Sequence, residues 1–281
     1  MERLFVDQLT VLDFSYLHPE RGLLGESWLA NIELGGRLDE QGMVLDFGRI
    51  KKQVKQLIDR EFDHKLLIPA DHPGLALKQT AQRHHLSFTT RAGEIIEHAA
   101  PNDAIQLVDT DQISPEVVAK AIEQRLRARL PANVNSVQID LKPEDIQGVH
   151  YQYSHGLKHH RGNCQRIAHG HRSTLRIERN GRRDPALERQ WAERWRDIYI
   201  GNREDLRSRE EADCRHFAYT SKQGAFSLTL PSARCVLIDT DSTVENLARH
   251  IAMSLHADHP DERFEVRAFE GVRKGALASA G

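Results

Sequence analysis

Hydrophobic and polar residues alternate along two segments near the beginning of the chain. Residues 4–17 alternate imperfectly and are rich in β-branched and aromatic side chains, and residues 28–34 alternate clearly. A period of two along a segment predicts a β-strand with one buried face. The loop between the two segments, HPERGLLG, contains proline and glycine. The pattern therefore predicts two strands that pair in the antiparallel direction.

The apolar spacing changes to that of a helix after residue 48. Four apolar residues share one face of the segment RIKKQVKQLIDREF, namely Ile50, Val54, Leu57 and Ile58. Their spacing predicts an amphipathic helix that ends near Asp63-His64. Further along, Ser114-Pro115-Glu116 combines a helix cap, a proline at the first helical position and an acidic first turn, which predicts a second helix. The segment SVQIDL after it predicts another strand.

The same order of patterns occurs twice, which predicts an internal duplication. Phe14-Ser15-Tyr16 corresponds to Tyr153-Ser154-His155, and the stretch LGESWLANIELGG corresponds to HGHRSTLRIERNG. The second helix and the strand VQIDL correspond to a helix beginning at Thr243-Val244-Glu245-Asn246 and to FEVRAF. Because the matches keep their order, coincidence between two similar folds is the weaker explanation. We predict an α+β protein of two domains, residues 1–146 and 147–281, joined at the polar turn KPEDIQG.

Composition and charge narrow the kind of protein. The 281 residues are 39% hydrophobic and 28% charged, with a formal charge of −2 and no long block of one sign. This balance argues against nucleic acid as a partner. The apolar stretches are short and the first residues lack the pattern of a secretion signal, so we expect a cytoplasmic protein without membrane contact. Three widely spaced cysteines fit a reducing compartment.

Histidines are concentrated in one short region. Five of the sixteen fall within 17 consecutive residues: His155, His159, His160, His169 and His171. His169 and His171 lie two apart on a predicted strand, so both rings face the same side, and His155 ends the preceding predicted strand. Three imidazoles with a fourth position open suit a catalytic zinc ion, although such a pair is also common as solvated or hydrogen-bonded histidines. We expect His159 and His160, in a basic loop, to be solvated.

Cys164 lies between these histidines, in the segment RGNCQR. Flanking arginines and a nearby cation lower the pKa of a thiol and favour the thiolate, which is a competent base or nucleophile. The alternative is that Cys164 is a fourth zinc ligand, which would make the site structural and closed. We expect Cys214 and Cys235 to be small buried or incidental residues.

Two further acidic positions could contribute chemistry. In Asp63-His64, a carboxylate beside an imidazole can fix the tautomer and relay a proton, whereas an ordinary helix end also accommodates a histidine near the negative end of the helix dipole. Glu270 closes the last predicted strand and could hold an N–H-rich heterocycle through two hydrogen bonds, or be an exposed strand end. The residues alone leave both alternatives open.

Together these motifs resemble the family of 6-pyruvoyl-tetrahydropterin synthase and 6-carboxy-tetrahydropterin synthase, whose units have the T-fold. The family pattern combines a histidine ending the first strand, a cysteine shortly before HGH, a G-M-V-x-D-F segment, an Asp-His at a helix end, a T-x-E-N helix start and a final glutamate. The matching residues in this chain are His155, Cys164, His169-Gly170-His171, GMVLDF at 42–47, Asp63-His64, Thr243-Val244-Glu245-Asn246 and Glu270. The resemblance implies two tandem T-fold units, each an antiparallel sheet with two helices packed on one face.

Neither half of the chain carries the whole set. The first half has Tyr16 where the first histidine belongs, Leu24-Gly25-Glu26 where HGH belongs, and Pro143 where the closing glutamate belongs, so it cannot bind zinc as the family does. The second half lacks an Asp-His in RQWAERWRDIYIGNREDL. Family members form active sites between subunits. The resemblance therefore implies a homo-oligomer with one composite site per chain, to which the first half supplies Asp63-His64, either within a chain or between chains.

The resemblance implies a zinc-dependent lyase that acts on 7,8-dihydroneopterin triphosphate. Zinc would be held by His155, His169 and His171, and the pterin would be bound by Glu270, Thr243 and Glu245. Cys164 would act as the thiolate base, and His64 oriented by Asp63 would transfer the other proton.

The expected product is 6-carboxy-5,6,7,8-tetrahydropterin, on the queuosine (7-deazaguanine) branch. The alternatives are 6-pyruvoyl-tetrahydropterin synthase activity and a non-catalytic protein that binds a pterin or purine. A zinc amidohydrolase also uses two histidines spaced in this way on a strand, but it needs a longer barrel after them. Only 110 residues follow His171, which disfavours that class.

Overall fold

Two consecutive units with the same order of elements make up the computed structural model, which describes residues 2–207 and 213–281. The first unit, repeat one, consists in chain order of β1 (Glu2–His18), β2 (Gly22–Gly36), α1 (Phe47–Glu61), β3 (Leu66–Pro69), β4 (Leu75–Gln79), β5 (Arg83–Thr89), β6 (Ile95–Pro101), β7 (Ile105–Val108), α2 (Pro115–Arg127) and β8 (Val134–Pro143).

The second unit, repeat two, follows after a connection at residues 144–150. It consists of β9 (Tyr151–His155), β10 (His169–Ser173), β11 (Leu175–Arg179), β12 (Arg182–Arg183), α3 (Pro185–Arg194), β13 (Ile198–Asn202), β14 (Cys214–Ser221), β15 (Gly224–Pro231), β16 (Cys235–Ile238), α4 (Val244–Asp258), β17 (Phe264–Phe269) and β18 (Gly275–Ala280).

Each repeat is built on a central sheet. In repeat one the strand order is β7-β3-β1-β2-β8. In repeat two the strands form two four-stranded sheets, β16-β13-β9-β10 and β12-β11-β17-β18, and the chain passes from one to the other between β10 and β11. The hairpin strands pair in the antiparallel direction, whereas β3 and β7 run parallel to β1. These parallel pairs arise because α1 carries the chain across the sheet, so that β3 starts beside β1 in the same direction. The predicted α+β class and the duplication are confirmed.

The helices pack on one face of each sheet. In α1 the buried residues are Ile50, Val54, Leu57 and Ile58, the four identified by their spacing. Side-chain oxygens of Asp46 and Ser114 cap α1 and α2 and satisfy backbone N–H groups that a helix start leaves unpaired. Separate hydrophobic cores form beneath α1 and α2 and beneath α3 and α4. No helix in the described part of the chain is long and apolar enough to cross a membrane.

The two central sheets pack directly against each other at a pair of equivalent glycines. A Cβ atom at Gly25 would lie 1.8 Å from the Tyr153 carbonyl oxygen, and one at Gly170 would lie 2.3 Å from the same oxygen, so only glycine fits. Ser15 and Ser154, which are also equivalent, hydrogen-bond through their Oγ atoms at 2.7 Å. Because equivalent residues meet each other, the two repeats are related by a local twofold arrangement.

A further sheet contains strands from both repeats, in the order β14-β15-β6-β5-β4. The two hairpins join where β15 pairs with β6, with Ser227 opposite Ala99. Buried residues of both repeats form a shared core beneath this sheet, including Phe88 and Phe217. The repeats therefore share one sheet and one core in addition to their own.

Candidate active site

Three histidine side chains converge on β9 and β10. His155 lies opposite His169 in the antiparallel pair, and His171 lies two residues beyond His169 on the same face. All three are at most 1% exposed, and one ring nitrogen from each lies within 4.8 Å of the others. The strands therefore bring together the three histidines that the sequence analysis selected as metal ligands.

The surroundings of these rings fit a metal ion. His155 Nδ1 lies 3.1 Å from the Ser242 carbonyl oxygen and 3.0 Å from its hydroxyl, and His169 Nδ1 lies 2.9 Å from the Arg166 carbonyl oxygen. These contacts orient the rings and leave their Nε2 atoms for a ligand role. The Nε2 atoms of His155 and His171 are buried without a hydrogen-bond partner among the described residues, a cost that a bound cation would relieve. Burial lowers the pKa of His155 and His169, which keeps these imidazoles neutral, as metal binding requires.

Repeat one supplies Asp63 and His64 to the same place. His64 turns the chain with a positive φ of 52°, and its backbone N–H donates to the Asp13 carbonyl oxygen at 2.7 Å. The Asp63 carboxylate accepts from the Asp13 N–H at 2.9 Å and contacts His64 Nδ1 at 2.5 Å. The His64 ring centroid is 5.2 Å from that of His169 and 6.4 Å from that of His171. The two repeats of one chain therefore form a composite site.

Cys164 lies beside His64, half-buried in the loop before β10. Ligand atoms of His64, Cys164 and His169 lie within 4.8 Å of one another. Burial opposes the charged form of His64, but its hydrogen bonds to Asp63 and Cys164 outweigh this effect and raise the pKa of His64 to about 10. A charged imidazole stabilises an adjacent thiolate. Cys164 contacts His64, and His64 contacts Asp63. This is the arrangement of a base or nucleophile, a proton carrier and a carboxylate that orients the proton carrier.

The residues predicted to bind the substrate lie at different places around this cluster. Glu270 follows β17, and its Oε1 atom lies 3.9 Å from His171 Nε2. Thr243 is the N-cap of α4 and directly follows Ser242, which orients one of the histidines. Glu245 is exposed in the first turn of α4. The structure thus places Glu270 next to the histidines, whereas Thr243 and Glu245 form the start of a neighbouring helix.

Asp13 and Lys274 are site residues that the sequence analysis missed. The Asp13 carboxylate has Oδ1 3.3 Å from His171 Nδ1 and Oδ2 3.2 Å from Lys274 Nζ, and it accepts from the Ser27 hydroxyl at 2.5 Å. Burial opposes ionisation of Asp13, but His171 and Lys274 lower its pKa overall. The available signal was an acid among apolar residues in VLDFSYL, and the histidine that it contacts lies in the other repeat.

The equivalent positions in the local twofold arrangement form a second cluster, the pseudo-site, which consists of Tyr16, Arg21, Leu24, Glu26, Gln152 and Asp197. Glu26 takes the position of His171 and is 7% exposed. Burial raises the pKa of Glu26 to about 7. Gln152 takes the position of Asp13 and donates to Glu26 Oε2 at 2.9 Å. A carboxyl–amide pair therefore replaces the carboxylate–histidine pair of the histidine cluster.

Strand pairing identifies the counterpart of His64 in repeat two. Leu66 of β3 and Tyr199 of β13 pair with equivalent residues of β1 and β9, so the residues two positions earlier, His64 and Asp197, are equivalent. Both have a positive φ, 52° and 57°. The segment in which the sequence analysis found no Asp-His therefore keeps the backbone turn and carries Arg196-Asp197 there.

A model of the family described as 6-pyruvoyl tetrahydropterin synthase matches the chain twice, over residues 10–152 and over residues 144–278. The chain belongs to this family. The resemblance inferred from the motifs is confirmed, and each repeat is one T-fold unit of the 6-pyruvoyl tetrahydropterin synthase family.

Individual relatives match about half of the chain. A Methanocaldococcus jannaschii protein provisionally named 6-carboxy-5,6,7,8-tetrahydropterin synthase is 26% identical over 141 residues, 48% of this chain and 83% of that protein. A Pyrococcus horikoshii protein with the same provisional name is 21% identical over 133 residues, 47% of this chain and 76% of that protein. The 6-pyruvoyl tetrahydropterin synthase structure from Plasmodium vivax is 18% identical, with a TM-score of 0.43 over 52% of this chain and 93% of that one. The family match and the two curated relatives support an activity of the tetrahydropterin synthase type.

Proposed function

We propose that this protein is a zinc-dependent lyase that converts 7,8-dihydroneopterin triphosphate to 6-carboxy-5,6,7,8-tetrahydropterin, with one active site per chain. The observation that carries the proposal is the position of His64 from repeat one, 5.2 Å between ring centroids from His169 of repeat two. Without that approach, neither repeat has both a metal-binding cluster and a proton carrier. Together they have the full set of side chains for this chemistry.

His155, His169 and His171 would hold the zinc ion. When bound, zinc would polarise an oxygen of the substrate side chain and acidify the neighbouring C–H bond. The buried Nε2 atoms without hydrogen-bond partners among the described residues support these ligands rather than the exposed His159 and His160.

Cys164 and His64 would exchange protons with the substrate. The Cys164 thiolate would remove one proton from the substrate side chain. The charged His64 imidazole would donate another proton to the substrate. Asp63 contacts His64 Nδ1 and is itself fixed by the Asp13 backbone N–H, so it would hold the ring in one orientation. The proposal therefore treats Cys164 as a base and not as a zinc ligand.

The carboxylate of Glu270 would accept hydrogen bonds from the N–H groups of the pterin ring, because this carboxylate lies beside the histidine cluster and remains partly exposed. Thr243 and Glu245 would contribute from the start of α4, where a helix N-terminus offers backbone N–H groups. The 6-carboxy product is favoured by the names of the two curated relatives, and the description of the matching family makes the 6-pyruvoyl product the second candidate. Homo-oligomer formation and a cytoplasmic location stay predictions.

The test is turnover of 7,8-dihydroneopterin triphosphate by purified protein that contains stoichiometric zinc. We expect consumption of one water molecule, release of triphosphate and of the other two side-chain carbons as acetaldehyde, and a product with the mass of 6-carboxy-5,6,7,8-tetrahydropterin. A product with the mass of the 6-pyruvoyl compound would establish the second candidate. Binding of the pterin without release of triphosphate would contradict the enzyme proposal and favour a non-catalytic pterin-binding protein.

A further inference from the structure

A cavity of about 890 Å³ opens at the pseudo-site, on the other side of the local twofold arrangement from the histidine cluster. Basic side chains dominate its charged lining: four arginines and a histidine face two acids, and these residues are Arg21, Arg189, Arg196, Arg234, His150, Glu193 and Asp197. Three residues that line the cavity have counterparts around the histidine cluster. Gln152 and Asp197 correspond to Asp13 and His64. Arg21 corresponds to Arg166, because each lies three residues before the equivalent Leu24 and His169. The cavity is lined by residues of both repeats.

The arginines of the cavity are not all neutralised by these acids. Arg21 holds Asp197 with two hydrogen bonds, of 2.8 and 2.5 Å, which satisfies the most buried acid. Arg196 pairs with Glu193 at 3.0 Å, but both side chains are more than 60% exposed, so this pair is weak. Arg189 forms no ion pair with any described residue. Arg234 pairs with Glu94, which does not line the cavity, with nitrogen–oxygen distances of 3.3 and 3.2 Å. The cavity therefore keeps one unpaired guanidinium group, that of Arg189, and one weakly paired group, that of Arg196.

The environment of His150 reflects the same arginine charges. This side chain lines the cavity, and its pKa is lowered first by partial burial and then by the charges of Arg172, Arg21 and Arg196. A site that disfavours one more cation in this way has a positive potential and attracts anions.

We propose that this cavity binds an oligophosphate anion without a metal ion. Arginine guanidinium groups match the oxygens of phosphate in a fork geometry. Two of them at this cavity, Arg189 and Arg196, are unpaired or weakly paired, which suits a chain of phosphates better than a single carboxylate. The volume also exceeds that of one inorganic phosphate and accommodates an attached ring. This site is distinct from the proposed active site and does not depend on its activity.

The test is calorimetric titration of the zinc-loaded full-length protein with inorganic triphosphate. We expect saturable binding that weakens as salt is added, because the interaction is between charges. The combined change Arg189→Gln and Arg196→Gln should weaken binding roughly tenfold or more, as expected for lost hydrogen bonds between charged groups. Arg194→Gln is the control, because Arg194 is on the same helix as Arg189 and two residues before Arg196, but lies over the Trp191 ring and does not line the cavity.

Two outcomes would overturn the proposal. One is the absence of saturable binding to the unmodified protein. The other is binding that the double variant retains and that Arg166→Gln, at the proposed active site, abolishes. Arg189 and Arg196 are both exposed, so the variants should fold. A thermal melt of each single variant verifies this.

To determine which kind of phosphate-bearing ligand the cavity prefers, the titration is repeated with ATP and with 7,8-dihydroneopterin triphosphate. Cys164→Ala protein is used to prevent turnover. Equal affinity for all three ligands supports recognition of the phosphate chain alone. Tighter binding of one ring-bearing ligand, lost in the cavity variants, supports the proposal and identifies that ligand.

Discussion

Repeat one and repeat two carry different side chains at equivalent positions of the same fold. The three clustered histidines of repeat two, which we propose as metal ligands, correspond to Tyr16, Leu24 and Glu26 in repeat one. Conversely, repeat one has Asp63-His64 where repeat two has Arg196-Asp197. Each repeat lacks the side chains that the other provides, and the structure brings the two partial sets together in one cluster.

The contact between the repeats shows less change than the sites. Ser15 and Ser154 hydrogen-bond to each other, and neither Gly25 nor Gly170 has room for a Cβ atom. A substitution there would separate two closely packed sheets, whereas a substitution at a site position alters chemistry and leaves the packing intact. Packing between the repeats therefore maintains the duplicated fold, whereas the side chains of the pseudo-site can differ from those of the histidine cluster.

The largest expected difference between the repeats is in metal content. We expect about one zinc ion per chain, as for a catalytic site with three protein ligands, and none after His169→Ala combined with His171→Ala. Tyr16→Phe, at the position equivalent to His155, is the control and should leave the metal in place. Elemental analysis of purified protein checks this. Two ions per chain, or metal retained in the double variant, would show that the difference in metal binding between the repeats is wrong.

Cys164→Ala should abolish turnover while the zinc content stays unchanged, because the thiolate is proposed as a base and the three histidines suffice to hold the metal. Parallel measurement of triphosphate release and metal content checks both halves of this statement. If zinc is lost with the sulfur, Cys164 is a ligand and the site is closed and structural. Cys235→Ala, at a buried cysteine that belongs to none of the clusters able to hold a metal ion among the described residues, is the control for turnover.

His64→Ala should lower kcat by roughly 10² to 10⁴, the usual contribution of a positioned acid or base, with little change in zinc content. The structure places His64 and Cys164 in one composite site within one chain. Mixing inactive His64→Ala chains with inactive Cys164→Ala chains should therefore restore no activity. Recovery of activity in the mixture would show that the site forms between chains, and full activity of His64→Ala alone would remove repeat one from the mechanism.

Asp13→Asn should weaken zinc binding roughly 10- to 100-fold, the range found when an outer partner of a ligating histidine is changed. The reason is the 3.3 Å contact of its carboxylate with His171 Nδ1, which the neutral amide would not replace. Competition with a zinc chelator measures the affinity. Asp7→Asn, exposed on the same strand, is the control, and equal affinities of the two variants would argue against a role for Asp13.

The smallest expected effect is on stability alone and concerns Glu26. Burial raises its pKa from 4.5 to about 7, so between these values the unfolded state ionises while the folded state keeps the proton. Stability from this group is complete below about pH 4.5 and falls as the pH rises toward 7. Denaturant unfolding at several pH values should show a flatter dependence in Glu26→Gln than in Glu33→Gln, a charge-matched control on the same strand. Identical slopes would show that Glu26 ionises normally in the fold.

Local patterns were sufficient to predict the parts of the molecule that depend on near neighbours in sequence. The apolar face of α1 follows from the spacing of the apolar residues between Ile50 and Ile58. His169 and His171 lie on the same side of the sheet because alternate residues of a strand do. The family motifs also selected His64 and Cys164, which the structure brings together. What the sequence left open was whether these two meet within one chain.

Contacts between distant segments could not be predicted in this way. Asp13 reaches His171 only because the two central sheets pack face to face, and Asp197 is recognised as the counterpart of His64 only from strand pairing. The shared sheet was missed for the same reason, since β6 and β15 are short and their pairing depends on the arrangement of both repeats. These features depend on register and packing, which a pattern of hydrophobic residues does not determine.

The shared sheet has a consequence for the order in which the molecule is made. Synthesis proceeds from the N-terminus, so β5 and β6 emerge with repeat one, whereas β15 is made only after most of repeat two. Until then β6 has an open edge of unpaired N–H and C=O groups, which is the feature of sheets that invites pairing with other chains. The newly made first half therefore has its greatest tendency to aggregate before the second half is complete, and we expect rapid synthesis of repeat two to favour correct folding.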